Sequence, residues 1–274
     1  MKKLFIYIIL IFSFTACEDV VKVDLEDAEP RLVVDAAIKW EKQTYGNEQF
    51  IYLSRSGGFY ADELEKVSDA EIHIENSNGD IFIFEETEAG TYKTSTFIPE
   101  IGMEYRLEIS VDGKTYTATE IMTPIVPIEF VYQNNEGGFF GDNIEIEITF
   151  LDPEEEENFY LFTFDDPNFA YPEFNIFDDG FTNGNQISAT YSDDELEPGD
   201  VIDIEMLGIS ESYYNFLDIL LDQIGSSGGP FATQPATVRG NIKNTENPDE
   251  LIFGYFSLSE MNQREFIIEE EEEE

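Results

Sequence analysis

Cysteine, histidine and basic residues are nearly missing from this chain. Its 274 residues include one cysteine, Cys17, one histidine, His73, and 14 lysines and arginines against 60 aspartates and glutamates, a formal net charge of −46. A lone thiol excludes a disulfide within the chain, so the fold must be held by packing. One histidine and one thiol supply neither a zinc ligand set nor a nucleophile with its base. Scarce Lys and Arg exclude nucleic acid as a partner, because phosphate recognition depends on clustered cations. Long apolar runs are lacking too. The stretch from Leu4 to Phe14 is eleven residues, about half of the roughly 20 that a membrane-spanning helix needs. Glycine loops that cradle phosphate, dinucleotide fingerprints and nucleophile elbows are also missing, which argues against an enzyme.

What is present begins at the N-terminus. Lys2 and Lys3 precede the apolar stretch, and Phe14-Thr15-Ala16-Cys17 supplies small residues just before the cysteine. That order is a secretory signal with a lipobox. It predicts a signal peptide over 1–16, a lipid on Cys17 and an acidic tether over 17–30 that ends in Pro30. An acylated Cys17 explains why an exported chain carries one unpaired thiol, and several acyl chains on one residue anchor firmly where a single chain does not. The acidity does not mean disorder, since 42% of the residues are hydrophobic and 14% aromatic, well above disordered chains. The acids are expected to decorate and hydrate a folded surface.

From Arg31 the pattern is one strand after another. Apolar and polar residues alternate in Ile72-His73-Ile74-Glu75 and in Tyr105-Arg106-Leu107-Glu108-Ile109, and turn signals such as Asp112-Gly113 separate the runs. Such alternation means one buried and one wet face. Strands are predicted over 31–39, 49–54, 70–75, 81–85, 90–94, 104–111 and 114–121, which makes residues 31–123 an immunoglobulin-like or transthyretin-like β-sandwich. Pro124 and Pro127 mark the boundary. A second β-rich domain is expected over 124–268, with strands at 143–150, 158–165, 186–191, 200–209, 237–241 and 252–258. It carries one helix near 212–224, whose Tyr213, Phe216, Leu217, Leu220, Leu221 and Ile224 share a face that should pack on its own domain. The class is therefore mostly all-β, and residues 269–274 form an acidic tail.

Two segments read as loops that present side chains. Residues 134–142 include Phe139 and Phe140, and residues 165–185 include Phe169 and Tyr171 among Asp, Asn and Gly. These four aromatics are the candidate ligand contacts. His73 shares its strand face with Glu71 and Glu75 and is expected at the surface. No cofactor is expected. Calcium is the one metal with suitable hard ligands, at Asp165-Asp166, Asp178-Asp179-Gly180 and Asp193-Asp194-Glu195, although the spaced loop that wraps a single ion is absent.

Several segments resemble a known family, the DUF4249 lipoproteins of Bacteroidota, whose function is unassigned. The resemblance spans almost the whole mature chain. It rests on Arg31-Leu32-Val33-Val34-Asp35-Ala36, Leu53-Ser54-Arg55-Ser56, Val67-Ser68-Asp69-Ala70-Glu71-Ile72 and Gly113-Lys114-Thr115-Tyr116, and then on Pro230-Phe231, Gly240-Asn241-Ile242 and Leu251-Ile252-Phe253-Gly254-Tyr255-Phe256-Ser257. Glu18-Asp19 similarly resembles the acidic signal that exports lipoproteins of that group to the cell surface. The resemblance implies a surface-exposed lipoprotein of the outer membrane, often encoded beside a TonB-dependent β-barrel transporter. The expectation is a non-catalytic binding accessory in nutrient uptake. Its alternatives are a glycan hydrolase using a carboxylate pair and a structural or adhesive lipoprotein.

Overall fold

A computed structural model describes residues 29–58, 61, 63–138, 140–225 and 237–270. Cys17, the signal peptide, most of the tether, Phe139, the Pro230-Phe231 segment and the end of the acidic tail lie outside those residues.

The chain begins with seven strands: β1 (Leu32–Glu41), β2 (Gln49–Arg55), β3 (Glu71–Asn76), β4 (Ile81–Glu88), β5 (Thr91–Thr94), β6 (Glu104–Val111) and β7 (Lys114–Ile121). It continues through β8 (Ile128–Gly137), β9 (Asn143–Leu151), β10 (Phe159–Asp165), β11 (Glu173–Asp178), β12 (Gln186–Ser192) and β13 (Val201–Ile209). Helix α1 (Glu211–Gly225), the short β14 (Lys243–Asn244) and the long β15 (Phe253–Ile267) complete it. The protein is mostly β, as the alternation predicts.

In the first lobe the alternation sorts side chains as expected. Ile72 and Ile74 of β3 are buried, Glu71 and Glu75 are exposed, and His73 is half-buried between them. β4 pairs with β3 over Ile81 to Phe84 and with β5 over Glu85 to Glu88, across a bulge. That change of partner carries the sheet around one core, where Phe97 lies 4.9 Å from Phe82 and 5.1 Å from Tyr105 between ring centroids. Each such fully buried aromatic contributes about 1.5–3 kcal/mol of transfer free energy. In the second lobe, β11, β10, β13 and the end of β15 face the three-stranded sheet β12-β9-β8. Phe150, Phe162, Phe164, Ile146, Ile148 and Ile204 are fully buried between them.

β15 belongs to both lobes. It pairs parallel with β1 from Val33↔Phe253 to Glu41↔Met261, then antiparallel with β13 from Leu207↔Met261 to Val201↔Ile267. This joins the strands into one sheet of twelve. The expected strand at 252–258 therefore runs on to Ile267, through buried Ser257, Ser259, Glu260 and Asn262. Those polar residues serve the junction. Glu260 accepts from Ile125 N at 3.0 Å and from Lys42 Nζ at 2.8 Å, and Asn262 Nδ2 donates to Val126 O at 2.7 Å. The segment around Pro124 is thereby sewn to β15. Ile242, Ile252, Phe256 and Leu258, from the stretch assigned by sequence to the second domain, are buried in the first core.

Three further local expectations change. No strand forms over 237–241. There the Asn241 side chain does the pairing instead, donating from Nδ2 to Phe256 O at 2.8 Å and accepting from Phe256 N at 2.9 Å. Part of the supposed 134–142 loop is strand β8, whose register shifts at both ends and so blurs its alternation. Part of the supposed 165–185 loop is β11, a polar-aromatic edge strand paired to β10. Helix α1 forms where it is expected, but only the first half of its predicted face packs, and Ile224 is exposed at its end. Ser210 caps it, its Oγ accepting from Tyr213 N at 3.2 Å, which satisfies one of the free donors of the first turn. Leu217 is buried, and Tyr213 and Phe216 pack beside it against Leu161, Leu207, Ile209 and Met261.

Candidate functional site

The strand registers set the two ends of the molecule. β1 and β15 start together, and the Arg31 guanidinium sits 5.9 Å above the Phe253 ring where the chain enters the fold. β15 finishes beside Val201, two residues from the pairing of Asp203 with Asp165 at the end of β10. At about 3.3 Å per residue, β15 separates these ends by a contour of roughly 45 Å. Loops from both sheets of the second lobe gather at the far end: the turn between β8 and β9, the connection after β10 and the one after β12.

Phe169 and Tyr171 meet there. Together with Phe164, Asp166, Ala170, Pro172, Glu173, Tyr191 and Asp193 they line a cleft of about 260 Å³. Its floor is rigid. Tyr191 stacks on Phe164 with ring centroids 4.9 Å apart, and its hydroxyl donates to Asp166 Oδ2 at 2.8 Å. The other Asp166 oxygen accepts from Asn168 N at 2.8 Å, and Asn168 Nδ2 reaches Asp200 Oδ2 at 3.0 Å, which ties the loop to the next connection. Asp193 Oδ1 accepts from Glu195 N at 2.9 Å in a tight turn. The rim is open: Tyr171 is 83% exposed and Phe169 42%. Burial pushes the Tyr191 hydroxyl above its ordinary range, and its bond to Asp166 and the charges of Asp166, Asp193 and Glu173 push in the same direction. The cleft is therefore strongly negative, with aromatic walls.

Of the other candidates, Phe140 is an exposed residue in the turn between β8 and β9, at the same end but not in the cleft. Two of the acidic loops weighed for calcium, those of Asp166 and Asp193, meet at the cleft, and Asp178-Asp179 does not line it. Asp166 faces Tyr191, while Asp179 is buried and accepts from Asn158 N at 2.8 Å. Among the described residues, no group of three or more His, Cys, Asp or Glu side chains is placed to hold a metal. No helix among them is long and apolar enough to cross a membrane.

A second feature gave no signal in the sequence. At the entry end, Arg31, Arg55, Lys114 and Arg239 line a cleft of about 750 Å³ together with Asp112, Asp249 and Glu250. Arg55 pairs with Asp112, and Lys114 with Glu250 at 2.8 Å. Those cations come from four separate segments, and only the fold brings them together.

Comparison with solved structures finds low-level likeness to a two-domain fibronectin type III segment of chicken tenascin, at 12% identity over 68% of this chain and 89% of that one, with a TM-score of 0.22. A DUF4785 family protein of Legionella pneumophila matches at 8% identity over 65% and 50% of the two chains, with a TM-score of 0.25. A tetra-tandem repeat from the extending region of a large adhesion protein matches at 10% identity over 86% and 49%, with a TM-score of 0.21. No curated protein sequence matches. A family described as "Domain of unknown function (DUF4249)" matches residues 18–265, and the chain belongs to it.

Proposed function

We propose that this DUF4249 protein is a surface-exposed lipoprotein of a Bacteroidota outer membrane. In this reading it binds a partner or ligand without chemistry, as an accessory of a TonB-dependent barrel in nutrient uptake. Cys17 carries the lipid, the acidic tether lets the folded body move, and the far loops meet the barrel or its cargo. One observation supports this reading above the others: the chain enters the fold at one end of β15, and the cleft of Phe169 and Tyr171 opens at the other. A body tethered at its entry end keeps that cleft clear of the attachment point, and the tether lets it turn toward a barrel or cargo on the same surface. The negative charge of the body leaves the acyl chains as the source of attachment.

The test is purification of the tagged protein from gently solubilised outer membranes, with mass spectrometry of its N-terminal peptide and of whatever accompanies it. An acylated Cys17 and a stoichiometric barrel are expected, with the protein released from membranes in Cys17→Ala. Substituting both Phe169 and Tyr171 by Ala should lower recovery of the barrel and leave lipidation intact. Recovery of the lipidated protein alone would sink the transporter role.

A further inference from the structure

The far cleft has a chemistry that narrows its occupant, and the step rests on the reading of that cleft as the binding site. We propose that it takes a cation: the guanidinium or ammonium end of a basic side chain on a partner protein. Glu173 and Asp193 supply carboxylates beside the buried Asp166, and among the described residues no Lys, Arg or His lines the cleft. Carboxylates only accept hydrogen bonds, and the Tyr191 hydroxyl, a donor on the floor, is committed to Asp166. A guanidinium or ammonium brings donors and no acceptors, so it matches such a lining. A neutral sugar hydroxyl can also donate to a carboxylate, but it brings no positive charge to match several of them.

The aromatic walls point to the same occupant. Phe169 and Tyr171 are exposed at the rim, and the negative face of an aromatic ring attracts a cation, most strongly where water is partly excluded. At about 260 Å³ the cleft is smaller than the roughly 300 Å³ at which pockets for drug-sized ligands begin. It has room for the end of one side chain. The net charge of −46 adds a long-range attraction that speeds the encounter with a basic surface and weakens as salt rises.

The experiment titrates the full-length protein in detergent with N-acetyl-arginine amide and with its neutral isostere N-acetyl-citrulline amide, followed by calorimetry or ligand-observed NMR. The arginine probe should bind about tenfold or more tighter than the citrulline probe. Tyr171→Ala, at an exposed position, and Asp193→Asn, which keeps the side-chain oxygen that holds its turn, should each weaken it about tenfold. Equal affinity for the two probes, or no binding of the arginine probe, overturns the proposal. So does arginine binding unchanged by both substitutions, which would be diffuse attraction to the acidic surface. A neutral oligosaccharide that binds in a Tyr171-dependent way would overturn the cation while leaving the cleft as the binding site. A barrel that co-purifies unchanged with Tyr171→Ala would overturn the cleft itself.

Discussion

Gly254 shows how narrow the tolerance is where β15 enters the first core. Its φ is +98°, and a Cβ placed there would lie 1.8 Å from the Val34 carbonyl oxygen, in the strand beside it. Gly79, in the turn between β3 and β4, has a similar φ of +89° with nothing within 4 Å of the same position. Alanine meets the same left-handed backbone strain at both sites but an overlap only at Gly254. Urea denaturation should therefore show a loss of about 1 kcal/mol for Gly79→Ala and about 3 kcal/mol or more for Gly254→Ala. Equal losses would mean that β1 and β15 slide apart easily, and that their pairing does not fix the junction. The same contact gives a physical reason for Gly254 in the Phe253-Gly254-Tyr255 segment of the family resemblance. Gly240, from another such segment, would place its own Cβ 1.9 Å from the Gly254 carbonyl oxygen.

At the scale of elements, Asn241 stands in for a strand. Its amide caps both polar groups of the Phe256 backbone, whose side chain is fully buried. Asn241→Ala leaves a donor and an acceptor unpaired beside β15 and should cost about 2–3 kcal/mol, with faster hydrogen exchange at the Phe256 amide as the local readout. Exchange unchanged there would show that water replaces the side chain at no cost. This substitution also explains why the sequence misled over 237–241: Thr-Val-Arg-Gly-Asn reads as a strand, yet its pairing comes from a side chain. The first lobe was legible because each strand buries one face and wets the other. β8 and β11 were not, since register shifts break the alternation of one and the edge position of the other tolerates polar residues. The far half of β15 was hidden because Glu260 and Asn262 look like surface residues until Ile125 and Val126 arrive to pair with them. In the candidate site, Phe169 and Tyr171 were visible as aromatics in a polar loop. Asp166 and Asp193 were visible only as hard ligands in separate loops, and Glu173 gave no signal at all.

Across the whole molecule, tyrosine couples the two cores to pH. Fourteen tyrosines are present, and Tyr92, Tyr105, Tyr116, Tyr160, Tyr191 and Tyr255 are buried, in both lobes. Burial is the first cause that raises each of them above the ordinary phenol range. Tyr105 is pushed from 10.0 up to about 12, while its hydroxyl donates to Ile98 O at 2.8 Å and accepts from Glu100 N at 2.9 Å. Below pH 10 the phenol is protonated in folded and unfolded chains alike, so its contribution is complete. Above that value the unfolded chain gives up the proton while the folded one holds it until about pH 12, and stability falls across the interval. Several buried phenols lose stability in the same range, and like-charge repulsion in an already acidic chain adds to it. Absorbance near 295 nm should therefore show a cooperative rise that coincides with loss of β-sheet circular dichroism, as the buried phenols ionise on unfolding. Tyr105→Phe removes one source of the alkaline loss together with two hydrogen bonds, so it should lower stability at neutral pH while flattening the fall between pH 10 and 12. A smooth rise in absorbance through that range with the sheet intact would show that water reaches the buried phenols in the native state.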